Sequence, residues 1–312
     1  MENLATTNGI FLTSDLRAFG LDGSIFRKAA ARRQLVRLHR GAFMDAADFA
    51  QLGRNEKYRQ RVIGALMASR GDPVASHASA AALWRLPIIG GWPEVVHVLA
   101  PKSTGTRTEN GFTRHARGFD DTIVRIDGVR VTSLHQTLLD VAATATFASA
   151  VTSIDSALGH ELVTGESLLS SFDASAMTRY RRRTLRALEF GTPLSGSAGE
   201  SLSRANIHEL GFPAPVLQAS FRDARGYIGD TDFWRPEHNR IGEFDGFVKY
   251  TRAEYTGGRP IEEVVFAEKV REDRLRATGP SVSRWLWDTA LHPKQLYDLL
   301  YEAGLRSSRR GA

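Results

Sequence analysis

The sequence contains no cysteine. Disulfide bridges, thiolate zinc sites and cysteine nucleophiles are therefore excluded. It also has no apolar run near the roughly 20 residues that a membrane-spanning helix needs. The amino-terminal stretch MENLATTNGIFLTSDL lacks the basic segment followed by an apolar segment that is typical of a signal peptide. These absences predict a cytoplasmic protein that has no membrane partner.

The motifs of several common enzyme classes are absent as well. The nearest match to a G-x-S-x-G nucleophile elbow, Gly196-Ser-Ala-Gly199, is one residue short, and no strand leads into it. There is no phosphate loop, no dinucleotide-binding fingerprint and no histidine-rich metal spacing. Serine-triad hydrolysis and chemistry on a phosphate loop or a dinucleotide are therefore not predicted.

Basic residues are in excess and are clustered. The 312 residues suffice for two or three modest domains, and a net charge of +6 favours DNA as a partner. Six Lys or Arg and no acid fall within residues 27–40, and a second cluster of five arginines falls within residues 179–186. A solvated helix face is the alternative interpretation of each cluster.

The first 54 residues predict a winged helix-turn-helix. A helix begins near Thr13, a second fits Ser24–Arg33 with Ile25 and Phe26 facing a core, and Leu35–Met44 fits a basic hairpin. In that arrangement the second helix enters the major groove of DNA while the hairpin contacts the backbone. The predicted DNA-binding residues are Arg27, Lys28, Arg32, Arg33, Arg37 and Arg40.

The segment LTSDLRAFGLDGSIFRKAAARRQLVRLHRGAF resembles the amino-terminal domain of AbiEi-family antitoxins. The resemblance implies a winged helix that binds DNA and serves autoregulation, and it implies a cognate toxin protein as a possible partner. Winged helices also act as protein–protein modules, which is the alternative here.

Residues 55–165 predict a mixed α/β middle domain that is structural or binds a partner. Its segments SHASAAALW and VTSLHQTLLD also resemble AbiEi-like proteins, and Phe112–His115 and Val124–Val131 are predicted as strands. His77 is interpreted as either a catalytic base or a capping residue. The other polar candidates are too scattered in sequence to be joined into a site: His115, Asp140 and Asp155. Residues 166–192 predict a helical connector whose arginines follow DNA phosphates.

An acidic hairpin dominates the last third of the chain. In DTDFWRPEHNRIGEFDGFVK, two short strands carry acids on either side of a turn at residues 236–239. A turn centred between residues 237 and 238 sets Asp232 opposite Glu243. Opposed like charges with Cβ atoms about 4.5–5.5 Å apart destabilise a sheet, so a hard cation is expected to compensate them.

A helix near residue 200, a three-stranded antiparallel meander, a helix and a strand are predicted in that order. This layout resembles PD-(D/E)xK nucleases of the very-short-patch-repair-like branch, through SGSAGESLSR, DTDFW, GEFDGFVKY and AEKVREDRLRATG. The resemblance implies Mg²⁺ or Mn²⁺ held by Glu200, Asp232 and Glu243, with Asp245 as a lesser ligand. Ser197 followed by Glu200 is also a helix capping box, which is the alternative role of Glu200.

The chain departs from the nuclease pattern at its lysine. Asp245 stands where the pattern has lysine, and Lys249 or Lys269 is the candidate replacement, unless both are surface residues. Two functions therefore stay open. One is a metal-dependent DNA endonuclease. The other is an AbiEi-like antitoxin and transcriptional repressor whose nuclease fold is catalytically inactive.

Overall, an α+β multidomain protein is predicted. A winged helix-turn-helix (1–54) precedes the mixed α/β middle domain (55–165) and the connector (166–192), and a restriction-endonuclease-like domain (193–308) follows.

Overall fold

A computed structural model describes residues 8–18, 20–101, 105–116, 122–175, 177–246 and 260–309. Within these ranges the chain forms 13 α-helices and three sheets, which confirms the predicted mixed α/β class. The chain divides into two compact units, residues 1–153 with 166–188 and residues 154–165 with 189–312. Among the described helices, none combines the length and apolar character that crossing a bilayer requires.

Helices and strands are interspersed along the chain. The helices are α1 (Thr13–Ala18), α2 (Ser24–Ala31), α3 (Ala46–Gln51), α4 (Arg54–Met67), α5 (His77–Leu83), α6 (Leu134–Thr144), α7 (Phe147–Gly159), α8 (Gly165–Ala174), α9 (Arg181–Phe190), α10 (Ala198–Glu209), α11 (Ile261–Ala277), α12 (Trp287–Leu291) and α13 (Pro293–Glu302). The strands are β1 (Ile10–Leu12), β2 (Leu35–His39), β3 (Ala42–Asp45), β4 (Val74–Ala75), β5 (Val96–Leu99), β6 (Arg107–Glu109), β7 (Phe112–His115), β8 (Ile123–Ile126), β9 (Val129–Thr132), β10 (Val216–Asp223), β11 (Gly226–Arg235), β12 (Arg240–Phe244) and β13 (Ser281–Trp285).

The first unit begins with an antiparallel sheet in the order β1-β3-β2. Phe26 of α2 is buried and packs with Leu16, Leu35 and Phe43, as predicted for a core-facing residue. The same prediction for Ile25 is wrong, because Ile25 is 41% exposed. Successive side chains on a helix point about 100° apart. With Phe26 turned toward the core, the neighbouring side chain of Ile25 therefore faces solvent.

The second sheet of this unit has the strand order β6-β7-β5-β4-β9-β8. Strands β5 and β7 are parallel, and so are β4 and β9. Residues 124–131, predicted as one strand, form the β8–β9 hairpin instead. Asp127 (φ 49°) and Gly128 (φ 81°) make its turn, and an Asp-Gly pair is well suited to positive φ at both positions.

One buried apolar cluster links the first sheet to the second within this unit. Ile10 and Met44, from the first sheet, belong to the same cluster as Val62 of α4, Leu83 of α5 and Val131 of β9. The elements before and after residue 54 therefore share a core.

The second unit contains a four-stranded sheet in the order β10-β11-β12-β13. Strands β10 to β12 are the predicted antiparallel meander, and β13 lies parallel to β12 after the crossover through α11. The turn between β11 and β12 is a 3₁₀ helix, Pro236–His238, followed by Asn239 in the left-handed conformation. This is the turn that the sequence predicts.

Helix α10 packs closely on this sheet at Gly199. A Cβ atom built on Gly199 would lie 2.0 Å from the ring of Phe244, so only glycine permits this approach. The contact brings the first turn of α10 to the end of β12, where the acids of the hairpin are carried.

A buried ion pair joins two helices of the second unit. Asp155 is fully buried, and its two carboxylate oxygens each lie 2.9 Å from Nη2 of Arg204 on α10. The backbone N–H of Thr192 donates to Asp155, and Arg204 donates to the carbonyl of Phe190. Asp155, a polar candidate in the sequence, therefore has a structural role.

Candidate functional site

The four predicted carboxylate ligands line one cavity of about 730 Å³ in the second unit. Its charged lining residues are Glu200, Asp230, Asp232, Glu243, Asp245, Glu268, Arg271 and Arg284. Among the lining residues that the structure describes, six carboxylates face two guanidinium groups, an excess of four formal negative charges. An excess of this size attracts cations and opposes the entry of a phosphate by itself.

The register of the β11–β12 hairpin agrees with the predicted one. Phe233 pairs with Gly242, Trp234 with Ile241 and Arg235 with Arg240, and Asp232 and Glu243 are the residues immediately beyond the Phe233–Gly242 end of this pairing. The backbone N–H of Phe244 donates to Oδ2 of Asp232 at 2.7 Å. The two acids thus enter the cavity from neighbouring strands of one sheet.

Glu200 both caps α10 and lines the cavity. Its own N–H donates to Ser197 Oγ at 3.2 Å, and that hydroxyl donates to Glu200 Oε1 at 2.8 Å. Gly196 N–H and Gln218 Nε2 donate to Oε2 at 2.8 and 3.1 Å. The capping role that the sequence offers as the alternative is therefore observed, and it holds the carboxylate in place at the cavity wall.

Glu243 is ion-paired on both oxygens. Arg271 Nη2 lies 2.7 Å from Oε1, and Arg284 Nη2 lies 2.9 Å from Oε2. Glu268 bridges the same two guanidinium groups at 2.8 and 2.6 Å. Burial lowers the pKa of each arginine, but Glu243 and Glu268 outweigh this effect and the pKa of both lies above the ordinary value.

The two arginines are functional candidates that the sequence reasoning missed. Arg271 lies one helical turn before Leu275, which is 0% exposed and packs on the sheet, so Arg271 lies on the sheet-facing side of α11. Arg284 pairs with Glu243 across the parallel β12–β13 register. Helical spacing was a signal for Arg271, whereas the partner of Arg284 depends on a long-range strand pairing.

Of the two lysine candidates, only Lys269 lies among the described residues. Lys269 is exposed and does not line the cavity, although it lies on α11 between two residues that do. Lys249 lies outside the described residues. Asp245, at the position where nucleases carry lysine, lines the cavity near the end of β12.

The donor set fits a hard divalent cation, because it consists of carboxylates with four negative charges to compensate. Among the residues that the structure describes, no group of three His, Asp or Glu side chains lies close enough together to hold a metal ion. Both oxygens of Glu243 are held by arginines. Arg271 and Arg284 therefore compete with a cation for the oxygens of Glu243.

The predicted DNA-binding side chains of the first unit are all exposed. They are Arg27, Lys28, Arg32, Arg33, Arg37 and Arg40.

Three arginines of the predicted connector contact other residues of the first unit. Arg181 stacks on Phe172 at 4.2 Å, Arg186 stacks on Phe147 at 4.0 Å, and Arg183 donates to a backbone carbonyl. At least these three arginines help to hold α9 on the first unit.

The first unit also brings three histidines and an acid together. His77 stacks on His115 with ring centroids 3.6 Å apart, and His97 Nδ1 lies 2.9 Å from His115 Nε2. His77 Nδ1 lies 3.5 Å from the carboxylate of Asp140, which is 2% exposed. Residues that are scattered over four elements of the sequence thus form one cluster, which we call the histidine cluster.

The histidine cluster predicts a loss of stability in mild acid. Burial lowers the pKa of His97 below its ordinary value of 6.5, so the unfolded chain binds a proton more readily than the folded one. The free energy of unfolding is expected to fall as the pH drops below about 6.5, down to the folded pKa. Urea unfolding from about pH 7.5 to about pH 5.5 tests this.

His97→Gln is expected to flatten this pH dependence, whereas His160→Gln, at an exposed position, is expected to leave it unchanged. An equal pH dependence in wild type and His97→Gln would contradict the assignment to His97.

No protein-family model and no curated protein matches the chain. Among solved structures, it is similar to the crystal structure of the RV2827C protein from Mycobacterium tuberculosis. The sequence identity is 15% and the TM-score 0.35, over 69% of this chain and 83% of that chain. A likeness this distant carries no argument about function.

Proposed function

We propose that the chain is a DNA-binding protein whose second unit hydrolyses DNA phosphodiester bonds with a divalent metal ion. The observation that carries this proposal is the convergence of Glu200, Asp232, Glu243 and Asp245 on one cavity with excess negative charge. Carboxylates from a helix and two neighbouring strands are the ligands that Mg²⁺ or Mn²⁺ prefers.

When bound, such an ion activates water and offsets the charge of the phosphoryl group. The residues that would hold it are Glu200, Asp232 and Glu243, with Asp245 beside them. Hydrogen bonds within the chain already hold two of these carboxylates in position. Glu200 is fixed by the cap of α10, and Asp232 is oriented by the backbone N–H of Phe244.

The first unit supplies the DNA-binding part of the proposal. Its order of strand, two helices and hairpin, closed by a β1-β3-β2 sheet, supports the proposal of a winged helix-turn-helix. Basic side chains are exposed on α2 and on the following hairpin, as at Arg27 and Arg37. In this proposal α2 enters the major groove and the hairpin contacts phosphates.

A second candidate function is favoured by the two ion pairs of Glu243. A carboxylate held by Arg271 and Arg284, together with Asp245 in place of lysine, suits a nuclease fold without turnover. The chain would then be an AbiEi-like antitoxin and repressor, with a toxin protein as its partner.

Incubation of the full chain with supercoiled plasmid separates the two functions. Nicking is expected with Mg²⁺ or Mn²⁺ and is expected to stop with a chelator. A gel shift on promoter DNA, lost in the double variant Arg32→Ala with Arg33→Ala, accompanies either function. A shift without any metal-dependent nicking would support the repressor and overturn the hydrolase. The absence of any shift would remove the winged-helix argument.

A further inference from the structure

The positive charge among the described residues of the cavity comes from two arginines on different elements. Arg271 lies on α11 and Arg284 on β13, and their side chains are 24% and 25% exposed. Both are therefore accessible from the cavity while most of each side chain is packed. The nuclease pattern has lysine at this part of the site, and the chain has Asp245 there.

The partners of the two arginines differ in kind. Glu268 Oε1 contacts both guanidinium groups from α11, and Glu272 Oε2 of the same helix lies 3.2 Å from Nε of Arg284. Asp230 contributes its backbone carbonyl to Arg271 at 2.9 Å. Glu243, in contrast, offers two carboxylate oxygens to two guanidinium groups, an arrangement that two oxygens of a phosphate reproduce.

We propose that Arg271 and Arg284 are the phosphate-binding residues of the cavity, and that they exchange Glu243 for a backbone phosphate of DNA when DNA enters. Glu268 stays with both guanidinium groups during the exchange and keeps them in position. This inference rests on the proposed function, because the phosphate it binds is that of the DNA substrate.

The exchange accounts for two features at once. It supplies the charge that the missing lysine would bring to the phosphate. It also releases the carboxylate of Glu243, which is otherwise paired on both oxygens, so that Glu243 would be available to hold a cation together with Asp232. Without DNA, Glu243 occupies both arginines, which are the basic residues of the described lining.

The alternative is that the arginines only neutralise a buried carboxylate. The two accounts differ in whether Glu243→Gln changes DNA affinity by more than the loss of one negative charge explains. If the arginines bind phosphate, the loss of their competing anion strengthens DNA binding. If they are structural, Glu243→Gln has the same effect as removing any other negative charge from the cavity.

The test measures binding of the full chain to a short fluorescent DNA duplex by anisotropy, in chelator so that no cleavage occurs, over a range of salt concentrations. Arg271→Gln and Arg284→Gln are each expected to lower the slope of log affinity against log salt by about 0.9, the value for one phosphate contact. Arg274→Gln is the matched control, because Arg274 lies on the same helix, its side chain is 19% exposed and it pairs with Asp223 outside the cavity.

Glu243→Gln is expected to bind DNA about tenfold more tightly than wild type, as two freed guanidinium groups gain charge-assisted hydrogen bonds. Asp230→Asn is its control. It removes the same charge from the same cavity but frees neither guanidinium group, since Arg271 donates to the backbone carbonyl of Asp230 while the Asp230 carboxylate accepts from Ser220. Equal affinity of the two variants, or unchanged salt slopes in both arginine variants, would overturn the proposal.

Thermal unfolding shows which variants are folded. If Arg271→Gln or Arg284→Gln does not fold, the DNA affinities of Glu243→Gln and Asp230→Asn are compared to test the proposal. If the arginine variants lower the salt slope of DNA binding but the wild-type chain never nicks DNA, the phosphate site is supported and hydrolysis is rejected. If the arginine variants leave the salt slope unchanged and the wild-type chain nicks DNA, hydrolysis is supported and the phosphate site is rejected. A wild-type chain that binds no DNA would reject both.

Discussion

The Asp232→Asn variant is expected to nick supercoiled plasmid at least about 100-fold more slowly than wild type in Mg²⁺. A divalent ion contributes several kcal/mol of transition-state stabilisation, and about 1.4 kcal/mol corresponds to a factor of ten in rate. Asn keeps the shape of the side chain and an oxygen that accepts the Phe244 N–H, so the fold of the hairpin is expected to persist. Initial rates of nicking by gel electrophoresis measure the effect.

Asp298→Asn is the matched control for this change. Asp298 is 51% exposed in its side chain, pairs with Lys294 at the surface and does not line the cavity. The same chemical substitution there is expected to leave the nicking rate within about twofold of wild type, since exposed ion pairs contribute little. Equal nicking by wild type and Asp232→Asn, insensitive to chelator, would show that the acidic cavity is not the active site.

The Asp155→Ala variant is expected to lose about 3–5 kcal/mol of the free energy of unfolding of the second unit. The change leaves the guanidinium of Arg204, a residue 8% exposed, without the carboxylate that accepts two of its hydrogen bonds at 2.9 Å, so that the bond to the carbonyl of Phe190 remains. The N–H of Thr192 loses its acceptor as well. A buried charge without a partner cannot be solvated, and this cost dominates the loss.

Urea unfolding followed by tryptophan fluorescence measures this loss. Asp298→Ala serves as the control within the same unit, because it removes one partner of an exposed ion pair with Lys294 and is expected to cost less than about 1 kcal/mol. A loss below about 1 kcal/mol in Asp155→Ala would mean that Arg204 finds another acceptor or is reached by water.

Local elements of the fold were predictable because their signals are local. The Pro-Glu-His-Asn turn and the flanking alternation predicted the β11–β12 hairpin and its register, which the structure confirms. The strand Phe112–His115 was predicted at its observed bounds. The β8–β9 hairpin was predicted as a single strand, although Asp127-Gly128 carries a recognisable turn signal.

The candidate site was predictable only in part, for the same reason. Asp232 and Glu243 are joined by a short hairpin, so strand alternation alone brings them together. The two arginines reach Glu243 through a crossover helix and a parallel strand pairing, for which the sequence carries no local signal. The histidine cluster likewise joins α5, β5, β7 and α6, so its members looked scattered along the chain.

The opposition of Asp232 and Glu243 was determined by the sequence itself, because turn residues and period-two alternation act over a few residues. What surrounds these carboxylates was decided by the tertiary structure. Packing of α11 and pairing of β13 place Arg271 and Arg284 on Glu243, and the approach of α10 at Gly199 brings Glu200 to the same cavity. The repulsion between opposed acids predicted a compensating positive charge. Long-range packing decided that arginines of the chain itself provide part of that charge.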